Sequence, residues 1–522
     1  MADLEKNLIG TASNTGRHRS AERMALGAIA ACFILSRVLA WSLGVRFATS
    51  EVEYFWQFLD TGLLKHQLWT SVLYLHSQPP LMNLAYGILI QPFPVHWPLV
   101  AYSLNLVIGL LAYAAMHAIM VRNNVSSPIA LLVVILAMCN PSAVIFEAEP
   151  FYTHTVFCLL IFAVFLFQSY IKQPSLRIGA AFLGMLTTLA LWRSSYQLVW
   201  YGLCALWLMK KTPPQLFRKM VLLACVFGSI VGSLYVKNEI LFGFFNSSSG
   251  SGMSLAKTWA GTPKVVKLVQ EGKLSPISSI PSFEPMDHYL PVISLPRKRG
   301  LKAVDAVFKD NGSINFDNIG YPEVSRLYSR DYWKLLRLSP MTIAHQVSMG
   351  WLDYFRPNSA WISAFDAANQ SALESADRPY RFFFCYGASR ALDSSDSGDS
   401  PDSTEHKLFR RLASVCWGMV LVYVVLALFL ASRAFQRLVV RGNRAQRQVL
   451  LFLISNVAYS AILCNTVEVG ENMRFRYETQ GLAVIAATII GWRVLNSLLN
   501  SAKPRENMKS KSSGAPERMA AL

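Results

Sequence analysis

Two carboxylates, Glu51 and Glu53, stand among aromatic rings in EVEYFW at residues 51–56, just beyond an apolar run that ends near Val45. Carboxylates so placed can take up a proton. Three later segments also carry charges at the ends of apolar runs. FEAEP (146–150) holds Glu147 and Glu149, WRSSY (192–196) holds Arg193, and EVGENMRFRYE (468–478) holds Glu468, Glu471, Arg474 and Arg476. Guanidinium groups bind phosphate or carboxylate through paired N–H donors. Charges beside a membrane core are costly unless they are paired or functional, so these segments mark a candidate site if they share one face. The competing explanation for each residue is an ordinary interfacial pair, for instance Glu471 with Arg474.

Whether they share a face depends on the elements that carry them. With 522 residues, 53% hydrophobic, 12% aromatic and only 15% charged, the chain is too apolar for an ordinary soluble globule. A hydrocarbon core about 30 Å thick needs roughly 20 apolar residues per helix. Charge-poor stretches of that kind predict about ten transmembrane helices, at 22–44, 98–121, 128–146, 150–170, 177–192, 196–209, 217–241, 410–432, 448–467 and 479–498. The fold class is thus all-α and polytopic. In the first outer loop, 45–97, the apolar stretches 52–66 and 80–93 are too short to span and read as two interfacial helices.

Lys and Arg in the short connections fix the orientation. Lys6, Arg17, Arg19 and Arg23, then Arg122, Lys172, Arg177, Lys210, Lys211, Arg218, Lys219, Arg433, Arg437, Arg441, Arg444 and Arg447, and finally the 499–522 tail, all fall on one face if the spans alternate. The positive-inside rule makes that face cytoplasmic, with both termini. The four charged segments then lie together outside. The net charge of +18 reads as topology and anionic-lipid attraction, and no aromatic-basic platform points to nucleic acid.

The resulting organisation is a cytoplasmic tail (1–21), a membrane core (22–241), an extracytoplasmic insertion of mixed or irregular structure (242–409), C-terminal membrane helices (410–498) and a basic tail (499–522). NSSSGSGMS from Asn246 reads as a flexible lead-in to the insertion. Residues 321–356 suggest a helix, a break at Pro340 and an amphipathic helix through Trp351 and Phe355. DSSDSGDSPDSTE (393–405) reads as a solvated acidic linker, lacking the ligand spacing of a calcium loop. Asn246, Asn311 and Asn369 begin possible glycosylation sequons, a number near chance. Seven cysteines fall in or beside the spans, and Cys385 stands alone in the insertion, so neither a disulfide framework nor Cys/His metal spacing emerges. The first apolar run lacks a cleavage site and is expected to remain as an anchor.

The first loop begins with acids beside aromatics, Glu51, Glu53, Tyr54 and Phe55, and ends in LHSQPPL (75–81). With two interfacial helices, the FEAEPFYTH turn and WRSSY, this resembles the GT-C-type polyprenyl-phosphate-sugar glycosyltransferases, which include the protein O-mannosyltransferases and the lipid A aminoarabinose transferase. The resemblance covers the first 240 residues or so. It departs at Ser50-Glu51-Val52-Glu53, where relatives usually begin with Asp then Glu, so the family's acidic position falls on Glu51 or, with a shift of two, on Glu53.

That resemblance implies transfer of a sugar from a lipid-linked phosphate to an acceptor hydroxyl of a lipid, glycan or protein. Glu51 or Glu53 would take the proton, a contribution of about 10² to 10⁴-fold. Arg193, Arg474 and Arg476 would hold the donor phosphate, and His76, Gln78, Glu147, Glu149 and Tyr54 would position the loop or the acceptor. Trp56, Trp69 and Trp192 could stack on sugar or lipid, while His66 and Asp60 read as a solvated helix face. Glu51 and Glu53 could join Glu147 or Glu149 around a divalent metal, though no metal is assigned. The implied location is a bacterial inner membrane, with the site facing the periplasm or exterior. The rival classes are a transporter, an O-antigen ligase or polymerase, and a non-catalytic receptor with 242–409 as its binding module. Charges at span ends rather than the midplane, and the lack of an internal repeat, weigh against the transporter.

Overall fold

The computed structural model describes residues 2–358, 367–373, 375, 376, 380, 415–440 and 443–501, with side chains from Ser20 onward. Cys385 and the linker 393–405 lie outside the described residues. The described chain is helical, and its one β feature is an isolated antiparallel bridge between Phe308 and Ile314.

The first helix is α1 (Ala2–Ser42). The first outer loop then forms short pieces: α2 (Ser50–Tyr54), α3 (Thr61–His66), α4 (Leu68–Tyr74) and α5 (Leu81–Ile90). Where two interfacial helices were expected there are thus four, because 52–66 is interrupted between α2 and α3 and because α4 forms outside both expected stretches. Asp60 caps α3 by accepting from Gly62 N at 2.8 Å, and Pro80 precedes α5. The membrane core continues through α6 (Trp97–Arg122), α7 (Ser127–Met138), α8 (Pro141–Glu147), α9 (Tyr152–Lys172), α10 (Leu176–Trp192), α11 (Leu198–Met209) and α12 (Pro214–Phe242). The insertion holds α13 (Ser251–Ala256), α14 (Pro263–Gln270), α15 (Met286–Tyr289), α16 (Lys302–Asp305), α17 (Tyr321–Leu338), α18 (Pro340–Tyr354) and α19 (Ala367–Ala372). Last come α20 (Trp417–Ala431), α21 (Arg433–Val440), α22 (Arg444–Val467) and α23 (Asn472–Ser501).

Six of the described helices are long and apolar enough to cross a membrane, and eight if each of two bent pairs counts as one span. This is an integral membrane protein, and its described residues hold six to eight such spans where about ten are expected. The stretches 177–192 and 196–209 are α10 and α11, 17 and 12 residues long, cut short by the turn at Arg193. The 128–146 span is α7 plus α8, bent by 62° where Asn140 caps the helix opened by Pro141. Of the 410–432 stretch, the described residues form α20 (Trp417–Ala431), followed by α21 at 101°.

Helix α9 packs against α6, α10, α22 and α23 at the centre. At one end Arg493 and Trp492 of α23 donate to the carbonyls of Asn123 (3.0 Å) and Asn124 (2.8 Å), and Trp207 donates to Gln448 (2.9 Å). The basic connections after α6 and α11 and before α22 therefore gather there. Helix α22 runs about 36 Å to the opposite end.

At that opposite end the insertion has its own core, with Trp259, Tyr289, Tyr321 and Tyr328 buried together. Gly252 of α13 packs directly on Ser325 of α17. Asp331 anchors the 3₁₀ turn Pro276–Ser279: burial would raise its carboxyl, but hydrogen bonds from Ser275 and Ser278 hold it below the usual range. The insertion docks on the first outer loop through polar contacts, Lys309 Nζ donating to Phe55 O (2.9 Å) and Asp310 N to Asp60 Oδ2 (2.8 Å). Asp60 is thus a buried joint rather than part of a solvated face, although His66 is exposed.

Candidate functional site

A cavity of about 510 Å³ opens between the insertion and the adjoining ends of the membrane helices. Its walls come from the turn after α10, the serine loop after α12, the end of α22 and the start of α23. Of the residues singled out from sequence, it gathers Arg193, Arg474, Glu468, Glu471, Gln78 and Trp56, and it adds Lys257.

Arg193 ends α10 in extended backbone, which swings its side chain under the insertion. It pairs with Glu478 of α23, and its guanidinium lies 4.6 Å from the Tyr152 ring and 4.5 Å from Phe475. Arg474 pairs with Glu471 and meets the same two rings, at 5.0 Å and 4.8 Å, besides Phe151 at 4.5 Å. Both arginines are almost wholly buried. Aromatic faces stabilise a guanidinium cation and hold its plane fixed.

Lys257, just after α13, reaches Glu468 at 2.6 Å. Burial pushes the Glu468 carboxyl up, against the pull of Lys257. Burial would also raise Glu471, but Arg474 and Lys257 outweigh it and hold that carboxyl below its ordinary value. Burial works against the Lys257 ammonium, which the two glutamates nonetheless raise. Three cations thus face three carboxylates. An incoming phosphate would tip the balance negative, and it would raise the proton affinity of Glu468, which unlike Glu471 already stands above its ordinary value.

The loop 246–251, expected as a flexible lead-in, is instead a buried wall. Ser247, Ser248 and Ser249 are at most 5% exposed. Ser248 donates to Ser77 O, and Ser249 N donates to His76 O at 2.8 Å. His76 Nδ1 lies 2.7 Å from Ser249 Oγ, while Asp317 accepts from the backbone N–H groups of His76 (3.2 Å) and Ser77 (2.9 Å). Burial brings the His76 imidazole down to about 4, so it is neutral near pH 7. His76 therefore knits loop, serine wall and insertion together without lining the cavity. Gln78 does line it, accepting from Ser194 Oγ at 3.4 Å.

Several expected site residues lie elsewhere. Glu53 and Tyr54 are exposed, and the Glu53 side chain belongs to a separate depression with Lys65 and Trp97. Glu51 points the other way from α2, is buried near Tyr86, and does not line the cavity. Glu147 is taken by Arg37, whose Nε and Nη2 donate to it at 2.8 Å and 2.5 Å inside the bundle. Glu149 is buried beside it, and Asn105 donates to the carbonyls of both residues. Arg476 sits about 200° around α23 from Arg474. It donates to Tyr354 O and Asn358 Oδ1, each at 2.8 Å, so it holds the end of α18 rather than the cavity. Trp69 is exposed and Trp192 half-buried, neither at the cavity, whereas Trp56 lies 5.6 Å from both Phe283 and Phe316 at its rim.

Among the described residues no group of three or more His, Cys, Asp or Glu side chains could hold a metal ion, and Glu51, Glu53, Glu147 and Glu149 do not converge. No family model, curated protein or solved structure matches this chain.

Proposed function

We propose that this integral membrane protein is a glycosyltransferase of the GT-C kind. It moves a sugar from a polyprenyl-phosphate donor to an acceptor hydroxyl in the outer cavity, on the periplasmic or exterior face of a bacterial inner membrane. The observation that carries this reading is the pair Arg193 and Arg474. They come from two membrane helices, share the Tyr152 and Phe475 rings, and stand beside half-buried carboxylates.

In this reading the donor phosphate displaces part of the Glu478 and Glu471 pairing and is held by the two guanidinium groups. The acceptor oxygen attacks the anomeric carbon from the side opposite the phosphate. As that bond forms, the carbon–oxygen bond to phosphate breaks and its electron pair leaves with the phosphate. The hydroxyl proton passes to Glu468, whose raised affinity for protons makes it a stronger base than an ordinary carboxylate. Trp56 offers a face for the sugar. The proton-accepting role that the resemblance implies for Glu51 or Glu53 falls to Glu468 in this reading.

The test uses full-length protein in lipid nanodiscs with polyprenyl-phosphate-linked mannose, glucose and aminoarabinose. Glu468→Gln should lower transfer by about 10² to 10⁴-fold, and Glu53→Gln should leave it unchanged. Loss in Glu51→Gln with full activity in Glu468→Gln would return the base to the first loop. Absence of transfer from every donor, with vesicle uptake of a solute instead, would replace the enzyme with a transporter.

A further inference from the structure

A second polar groove, of about 480 Å³, lies at the basic end of the bundle and takes no part in the proposed reaction. Helix α21 leaves α20 at 101°, so it runs crosswise at the end of an apolar helix whose outer face is bare. Leu421, Val424 and Leu428 of α20 are 64%, 48% and 54% exposed, as expected of a surface facing acyl chains. Helix α21 buries Gln436, Val439 and Val440 against the bundle and leaves Arg433 and Arg437 exposed. Asn443 then opens α22 by accepting from Gln446 N at 3.1 Å, which places Arg444 and Arg447 nearly one turn apart. Arg447 Nε donates to Gln436 Oε1 at 3.0 Å and so joins the two walls.

Among the described residues the groove is lined by Arg433, Arg437, Arg444 and Arg447 with Gln436, Asn443 and Val440, and by no acid. Four guanidinium groups around one opening repel each other unless an anion sits among them. The positive end of the α22 dipole adds to the same field. We propose that this groove binds the phosphate of an anionic phospholipid headgroup. Guanidinium forks match phosphate oxygens in pairs, and a lipid seated at this elbow can lay its chains along the exposed leucines of α20. Free phosphate would gain only the charge contacts.

The test is lipid retention by the full-length protein in nanodiscs of mixed phosphatidylglycerol and phosphatidylcholine, read by native mass spectrometry. Wild type should retain phosphatidylglycerol selectively and lose that selectivity as salt is raised. Arg437→Gln/Arg444→Gln should weaken retention by about tenfold or more, whereas Arg122→Gln/Arg177→Gln, at the same end but outside the groove, should not. Equal losses in the two variants, or none in either, would overturn the site. Inorganic phosphate binding as tightly as the lipid would overturn the lipid as its ligand. Should the glutamine variant fail to purify, wild type decides alone: selectivity that survives high salt defeats the proposal.

Discussion

Lys257 Nζ lies 2.6 Å from Glu468 Oε1, a contact between residues 211 apart in sequence that closes the insertion onto the last membrane hairpin. Removing the cation in Lys257→Met leaves burial and the neighbouring Glu471 charge opposed only by the backbone hydrogen bond from Val469, and so raises the proton affinity of Glu468 further. If Glu468 must be ionised to act, the acid limb of the pH dependence of kcat/KM moves to higher pH in the variant. Sugar-transfer rates measured from about pH 5 to 9 check this. An unmoved acid limb would detach Glu468 from the chemistry.

His76 gives the joint between loop and insertion a sign-defined pH dependence. Its imidazole is lowered from 6.5 to about 4, so the folded state prefers the neutral ring. The stability this represents is complete above 6.5 and is lost as the pH falls from there through 4. The span amounts to about 3 kcal/mol at most. Thermal unfolding in detergent at pH 7 and pH 4.5 should show a steeper loss for wild type than for His76→Asn.

Arg37 and Glu147 form a bidentate pair buried among α1, α7 and α8. Arg37→Met strands the carboxylate and should cost about 3 to 5 kcal/mol. Arg37→Met/Glu147→Gln should recover most of it, because no charge then remains without its partner. The midpoints of thermal unfolding for the two single variants and the double variant measure the coupling.

Gly252 donates its N–H to Ser325 Oγ at 2.8 Å, and a Cβ there would collide with the Ser325 carbonyl. Gly252→Ala should separate α13 from α17 at about 1 to 3 kcal/mol and loosen the grip of Lys257 on Glu468, seen as faster proteolysis within the insertion. Gly232→Ala in α12, where a Cβ meets nothing within 4 Å, serves as the neutral comparison.

Apolar length made the long helices α6, α9, α12, α22 and α23 legible in the sequence, since a membrane leaves few alternatives to a helix. It could not reveal that 128–146 turns at Asn140, or that α10 and α11 are too short, because those outcomes depend on single capping and turn residues. Arg193, Arg474 and Gln78 line the cavity, and their position beside the membrane is the signal that sequence carries. Glu53 and Arg476 lie away from it because rotation about a helix axis, which proximity in sequence does not encode, decides what a side chain meets. Glu147 lies away from it because it pairs with Arg37, 110 residues earlier. Glu468 and Glu471 were legible as charges at the end of an apolar run, but the contact of Glu468 with Lys257 was not, since it joins positions 211 residues apart across the turn at Gly470, whose φ is +103°.

Helix α23 joins these observations in one rigid rod. Arg474 and Glu478 meet the cavity side, Arg476 grips α18 from the far side, and some five turns onward Arg493 holds the opposite end through Asn123. Each residue of an α-helix advances the azimuth by about 100°. A single residue inserted between Gln480 and Trp492 would leave both ends chemically intact yet out of phase. Either Arg493 would lose its anchor or Arg474 would rotate away from its rings. The helix thus behaves like a key cut at both ends, in which the number of residues in its featureless middle matters as much as their kind.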